Sequence, residues 1–418
     1  MKELPVRNRL KLEIYQPTEG AWVWGKSKWG IDEWSNENFW EWGVSKWGEN
    51  KWGVITNDLE WVDYTCDVTG INIKTGKSSE SLSNAPETGT LVVSILNVAN
   101  PLTNSDIHPS TLMRFKYVDG VGIEHVLFTG KILDIANVDK FQSGGLKSVS
   151  TKITVVDGIY ELNNTNRFGA QGVGEHEGFK ARITRLAASS PITVNIPASD
   201  LTSYHLRGTV YASSLSNHFT LACDSIGAYW YINPAGEVVF IQDLPDETPT
   251  LEFSDSKLDL TALKYVDIAT NYDSKNVVNE IDFTNHGTMD DPDNPGTAIA
   301  DDTLVVVTDE TAKASWGANS KSLEINLYDT GAYTGRVAMR AAEILDEYST
   351  PKRRITMVKW NAQQNIDAID TIEQYKICNV KLDGKTQKSR IIGIQHDITP
   401  KRWIITLNLQ PQANTLFE

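Results

Sequence analysis

From Trp61 onward, apolar and polar residues alternate in short runs, and this period of two constrains the fold more than any other feature of the sequence. The runs are WVDYTCDVTGINIKTG, TLVVSILNVANPL, LMRFKYVDG, EHVLFTGKILDIANVD and SVSTKITVVDGIYEL. In a strand, successive side chains point to opposite faces, so each run can bury one face and wet the other. Gly, Asn, Asp and Pro stand at the breaks between them. Five such strands within about a hundred residues predict an antiparallel barrel or sandwich over 61–160.

The next hundred residues are mixed. Helices are expected at 178–189 (GFKARITRLAAS) and 215–227 (LSNHFTLACDSIG), followed by a hairpin, YWYINPAGEVVFIQ, turning at Pro234, Ala235 and Gly236. The β-pattern returns after 260 in LKYVDIAT and KNVVNEIDF, whereas HGTMDDPDNPGTAIADD (286–302) has the composition of an exposed loop. Tyr333, Val337, Ala341, Ile344 and Leu345 share one face of a predicted helix over 331–348, which Pro351 stops. The chain then closes in strands, KICNVKL, SRIIGIQHDIT and RWIITLNLQ, the last two joined by a turn through Pro400.

The fold class expected is therefore mainly β with some α, an α+β chain. Its parts are an N-terminal strand (1–16), a Trp-rich insertion (17–60), a first β-barrel (61–160) and a mixed centre (161–260). A second β-barrel follows, from 261–285 with 352–412, and 286–351 supplies a loop and an amphipathic helix.

The insertion has its own rule. Trp22, Trp24, Trp29, Trp34, Trp40, Trp42, Trp47 and Trp52 recur at steps of 2, 5, 5, 6, 2, 5 and 5, and residues 21–38 align without gaps on 39–56. A step of five suits neither helix nor strand, while each Gly permits a turn. So short a segment builds no core alone, and it is expected to pack on the body of the protein or on a neighbouring subunit. Exposed indoles also stack on sugar rings, which keeps a glycan-binding reading open beside self-packing.

Other motifs carry little chemistry. The histidines (His108, His125, His176, His205, His218, His286 and His396) form no HExxH pair, and GEHEG at 174–178 reads as a polar turn. DDPDNPG at 290–296 lacks the alternating ligands of a calcium loop, and GAQGVG at 169–174 is not a phosphate-binding glycine pattern. NNT at 163–165 is a sequon without a secretory context. Cys66, Cys223 and Cys378 are odd in number and far apart, giving neither a disulfide framework nor a zinc site. No metal, cofactor or catalytic residue is expected, although a glycosidase carboxylate pair would leave no spacing in sequence. A net charge of -15 opposes DNA binding but suits a wall past which DNA slides. With no apolar run of signal or membrane length, folding in a reducing cytoplasm is expected.

Three stretches resemble a known family: WVDYTCDVTGINIKTGKSSE with TGTLVVSILN, LFTGKILDIANV with ITVVDGIYEL, and RIIGIQHDITPKRWIITLNLQP, where Ile398, Thr399 and Pro400 precede Trp403. Over about 61–280 and 331–412 the chain resembles minor tail proteins of siphophages of Gram-positive, especially actinobacterial, hosts. These are tail hubs related in fold to the baseplate hub of contractile-tailed phages. The resemblance implies a virion protein at the tail tip, a homotrimer with two tube-like barrels per chain. Its implied partners are the distal tail protein ring, the tape measure protein and tail fibre or tip proteins, with DNA only in transit through the lumen. It does not extend to the Trp-Gly repeat, for which cell-wall glycan is the alternative partner.

Overall fold

A computed structural model describes residues 9–17, 59–65, 68–96, 107–141, 147–168, 176–210, 212–242, 248–272, 274 and 276–412. The alternation seen in the sequence becomes alternation of burial: Leu91, Val93 and Ile95 of the strand Thr90–Leu96 point inward, as do Met113, Phe115 and Tyr117 of Leu112–Val118. The chain is mainly β with few helices.

Thirteen strands join one sheet. Its path runs Tyr265–Asn271, Arg354–Asn361, Arg402–Pro411, Lys385–Thr399, Val68–Gly76, Thr90–Leu96, Lys147–Val156, Glu124–Phe141, Leu112–Val118, Leu10–Pro17 and Leu59–Asp63. Ile377–Leu382 branches from Lys385–Thr399 and carries Leu251–Ser254 in parallel. One apolar core lies under the whole sheet, mixing Leu12, Leu91 and Phe115 from the N-terminal half with Val358, Trp403 and Leu407 from the C-terminal half.

The two separate barrels expected from the sequence are not what the pairing forms. Val68–Gly76 pairs antiparallel with Lys385–Thr399, from Ile71 opposite Ile398 to Gly76 opposite Gly393. That pairing joins the two halves edge to edge, and among the described residues no ladder closes into a barrel. The terminal hairpin agrees with expectation, Thr399 facing Arg402 across Pro400 and Lys401.

A second core holds the centre. Helices Phe179–Ala187, Leu215–Ile226 and Arg336–Tyr348 pack on the hairpin Ala228–Ile232/Val238–Gln242 and on a three-stranded sheet. The last helix buries Val337, Ala341, Ile344, Leu345 and Tyr348; Tyr333 lies before it, in a single 3-10 turn. The three-stranded sheet places Glu280–Asn285 between Thr303–Thr308 and Ser320–Ile325. KNVVNEIDF was expected in the second barrel, but Ile281 and Phe283 are fully buried in this other core. Alternation marks a strand and does not say which core the strand covers.

Two smaller expectations also change. GIYEL, expected to continue a strand, forms the helix Gly158–Asn163, because Asp157 caps it by accepting from Ile159 N–H at 3.1 Å. The stretch 286–302 is not a plain loop: Thr288–Asp290 and Ala298–Ala300 pair as a small hairpin.

At the seam, Gly76 has φ +73 and a Cβ on it would lie 2.3 Å from the Ile392 carbonyl oxygen; a Cβ on Gly393 would lie 2.0 Å from that of Lys77. Neither position admits a side chain without moving backbone. We therefore expect Gly393→Ala to destabilise the protein by roughly 2 kcal/mol or more in urea unfolding, with both cores affected. His396, on the same strand, is buried and accepts a 3.3 Å hydrogen bond at Nδ1 from Trp403 Nε1. Burial holds its pKa down at about 4. A histidine with a depressed folded pKa contributes stability above the unfolded value that is lost as pH falls from about 6.5 through 4. Between pH 7 and pH 4, wild type should lose roughly 3 kcal/mol more than His396→Gln, read from parallel urea titrations.

Candidate functional site

A cleft lies where the two cores meet, a space of about 800 Å³ lined in part by Tyr204, Tyr229, Arg336, Arg340, Glu343 and Gln410. The segment between Gly76 and Thr90 forms one wall and ties the sheet to the centre. Ser83 Oγ donates to Asp224 Oδ2 at 2.8 Å, Asn84 N–H to Asp224 Oδ1 at 2.5 Å, and Asn84 Nδ2 to the Ala228 carbonyl at 2.7 Å. Glu80 makes a buried ion pair with Arg354 of the large sheet. Lys77 donates to the Ser83 carbonyl at 2.5 Å.

Burial dominates the electrostatics here. It lifts the Asp224 carboxyl to about 6 against the pull of Asn84, Ser83, Lys77 and Arg340, and it lowers the Lys77 ammonium to about 8. Glu80 is raised for the same reason, with Arg354 opposing. These are the marks of a polar clasp that is buried and internally satisfied.

The cleft's own groups are also committed to one another. Tyr204 Oη donates to Glu343 Oε1 at 3.0 Å and Arg340 Nη1 to Glu343 Oε2 at 2.9 Å, while Arg340 Nε reaches the Asp224 carbonyl at 3.1 Å. Gln410 Nε2 donates to the Tyr348 hydroxyl at 2.8 Å and to Glu347 at 3.2 Å. The bonds among Tyr204, Arg340, Glu343 and Asp224 lie within the second core, and Gln410 carries the contact from the large sheet to that core.

A second cluster ties a hairpin tip to the C-terminal half. His125 Nε2 lies 3.0 Å from Asp119 Oδ2 and His125 Nδ1 3.0 Å from Asp370 Oδ1, while Tyr117 donates to Asp370 and Gly120 N–H to Asp367 at 2.8 Å. Among the described residues these three side chains are the grouping able to hold a metal ion. The two carboxylates meet opposite nitrogens of one ring, so a single cation could not take the imidazole through both. The geometry suits a hydrogen-bonded tether. His125 stood in the sequence as a lone histidine; Asp119 and Asp370 are too distant along the chain for spacing to link them.

The tryptophan array (Trp22, Trp24, Trp29, Trp34, Trp40, Trp42, Trp47 and Trp52) lies outside the described residues, as do GAQGVG and Cys66. What is defined is the point of attachment. Leu10–Pro17 and Leu59–Asp63 pair antiparallel with Pro17 opposite Leu59, so the intervening chain leaves and re-enters the sheet edge at adjacent positions. Trp61 is held there by Tyr15, 5.1 Å away, and by the Arg114 guanidinium 4.0 Å over its ring. Of the other polar motifs, His176 stacks on Tyr328 at 4.1 Å, and DDPDNPG spans the end of the strand Thr288–Asp290 and the turn of its hairpin.

No protein-family model matches the sequence, and no curated protein matches it. Solved structures do. A tail protein from Neisseria meningitidis MC58 superposes with a TM-score of 0.56 at 14% identity, over 86% of this chain and 95% of its own. The 43 kDa tail protein of prophage MuSo2 from Shewanella oneidensis gives a TM-score of 0.50 at 10% identity, over 85% of this chain and 97% of its own. The fold of this chain is thus one that two tail proteins share over nearly their whole length.

Proposed function

We propose that the chain is a structural subunit of a phage tail and, more narrowly, the hub of its tip. In this reading it is a hub of the siphophage minor tail type, in which three copies form a ring that closes the tail tube. The ring links the distal tail ring to fibres or tip proteins, and it opens so that the tape measure protein and DNA can pass. The observation that carries this reading is the single thirteen-stranded sheet with its inserted second core, an architecture similar over most of its length to two tail proteins.

Physical features support the same role. In this reading the N-terminal and C-terminal halves of the sheet, joined to each other and not closed separately, each take one of six positions in a ring of three chains, which can then meet a sixfold ring with a threefold one. A net charge of -15 disfavours retention of passing DNA. The cleft carboxylate Glu343 is engaged by Tyr204 and Arg340 of its own core, which disfavours an acid or base role, and we assign the chain no enzymatic activity. Relative tilting of the two cores about the clasp at Asp224 is the motion available for opening.

Electron microscopy of the purified protein, or of tails that carry it, should show a threefold ring at the tip. A stable monomer inside intact tails contradicts the proposal.

A second reading, host recognition through cell-wall glycan, is favoured by one observation: the eight indoles are carried on a segment that departs from a hairpin at the sheet edge. Replacing residues 18–58 with an Asn-Gly turn leaves the pairing of Pro17 with Leu59 intact. Tails that assemble from this variant but no longer adsorb to host walls identify the array as a glycan reader. Failure of assembly identifies it as a clamp on a neighbouring subunit.

A further inference from the structure

The three-stranded sheet of the second core has an edge that is unusual for a protein surface. The strand Thr303–Thr308, TLVVVT, pairs on one side with Glu280–Asn285 and on the other with no strand among the described residues. It carries no charge, proline or bulge, the devices by which free edges are usually protected. Its inward residues Val305 and Val307 pack against the second core, while Leu304 and Val306 are 81% and 61% exposed. An edge of β-branched residues with an apolar outer face is a template for another strand.

Charge then selects the occupant. Residues 280–325 contain ten Asp and Glu against two Lys, a net of -8 within a chain whose total is -15. Two acids stand at each end of the strand, Asp301 and Asp302 before it and Asp309 and Glu310 after it; Asp301 also meets Arg207, Asp302 lies 3.1 Å from His286 Nδ1, and Asp309 caps the helix Glu310–Trp316, so the acids act as a partly compensated negative rim. Antiparallel pairing of Thr303 with Thr308 of a second copy would bring Asp302 against Asp309 and Asp301 against Glu310. Parallel pairing in register would set every acid against itself. Among the described residues, other sheet-edge strands are charged as well: Leu59–Asp63 carries Glu60 and Asp63, Tyr265–Asn271 carries Asp267, and Ser320–Ile325 carries Lys321 and Glu324 on opposite faces. The edge therefore repels its own kind by the same charges that would attract a basic strand.

We propose that Thr303–Thr308 is a strand-addition site for an extended segment of a different protein, one with alternating β-branched residues and Lys or Arg at both ends. The backbone edge supplies affinity, Leu304 and Val306 supply the apolar contact, and the flanking acids fix the choice of partner.

The test uses the full chain and three labelled peptides followed by fluorescence anisotropy: alternating valine and threonine flanked by lysines, the same centre flanked by glutamates, and a glycine-serine centre flanked by lysines. The first should bind at least about tenfold more tightly than either control. It should also slow amide exchange across 303–308, and Val306→Lys should weaken it by about tenfold or more. Equal binding of the glycine-serine peptide would reduce the effect to charge alone and overturn the proposal. So would unchanged exchange at 303–308 in the wild-type complex, a measurement that does not depend on the variant folding. Dimerisation of the free chain through this edge overturns it as well.

Discussion

The pairing of Val68–Gly76 with Lys385–Thr399 is the contact on which the rest of the architecture depends. It joins strands more than three hundred residues apart and turns two β-regions into one sheet over one core. Gly76 and Gly393 face each other across it, each with a carbonyl where a side chain would begin. Close backbone approach at this point lets Lys77 N–H bond the Ile392 carbonyl at 2.7 Å and starts the segment that crosses to the second core. Closing so long a loop carries an entropic cost that only extensive burial offsets, and Trp403, Ile405 and Leu407 supply it beside Ile71 and Ile73.

The second core is attached by polar chemistry of a different character. Asp224 sits at the end of a helix with almost no access to water and is kept by donors from Ser83 and Asn84, while Glu80 meets Arg354 in a similarly dry setting. Buried polar contacts of this type add little net stability compared with apolar packing, but they are directional and tolerate few alternatives. A joint built from them is specific in geometry and can be strained without exposing a large apolar surface. The cleft beside the clasp likewise contains groups bonded to one another.

Surface chemistry divides along the same line. The large sheet mixes charges, as in the pairs of Lys11 and Lys116 with Glu124, whereas residues 280–325 of the second core and its adjoining hairpin carry a net charge of -8. A field concentrated on one element steers partners to that element and away from others. The acids around Thr303–Thr308 also disfavour in-register pairing of this edge with a second copy of itself, because like charges would then meet.

Local order was legible in the sequence to the extent that it depends on neighbours along the chain. The period of two located the strands around Leu91, Phe115 and Ile405, the helical face of Val337, Ala341 and Ile344 was explicit, and Pro400 marked the final turn. What the sequence left open was partnership between distant segments. KNVVNEIDF has the pattern of a strand in either core, and only the space filled by Ile281 and Phe283 decides between them. His125 acquires its two carboxylates, and Asp224 its donors, through contacts between residues far apart in the chain. Alternation fixes which face of a strand is apolar, but the identity of the strand beside it depends on backbone hydrogen bonds that every residue can make. Among the described residues, tertiary packing alone joined the two β-regions into one sheet.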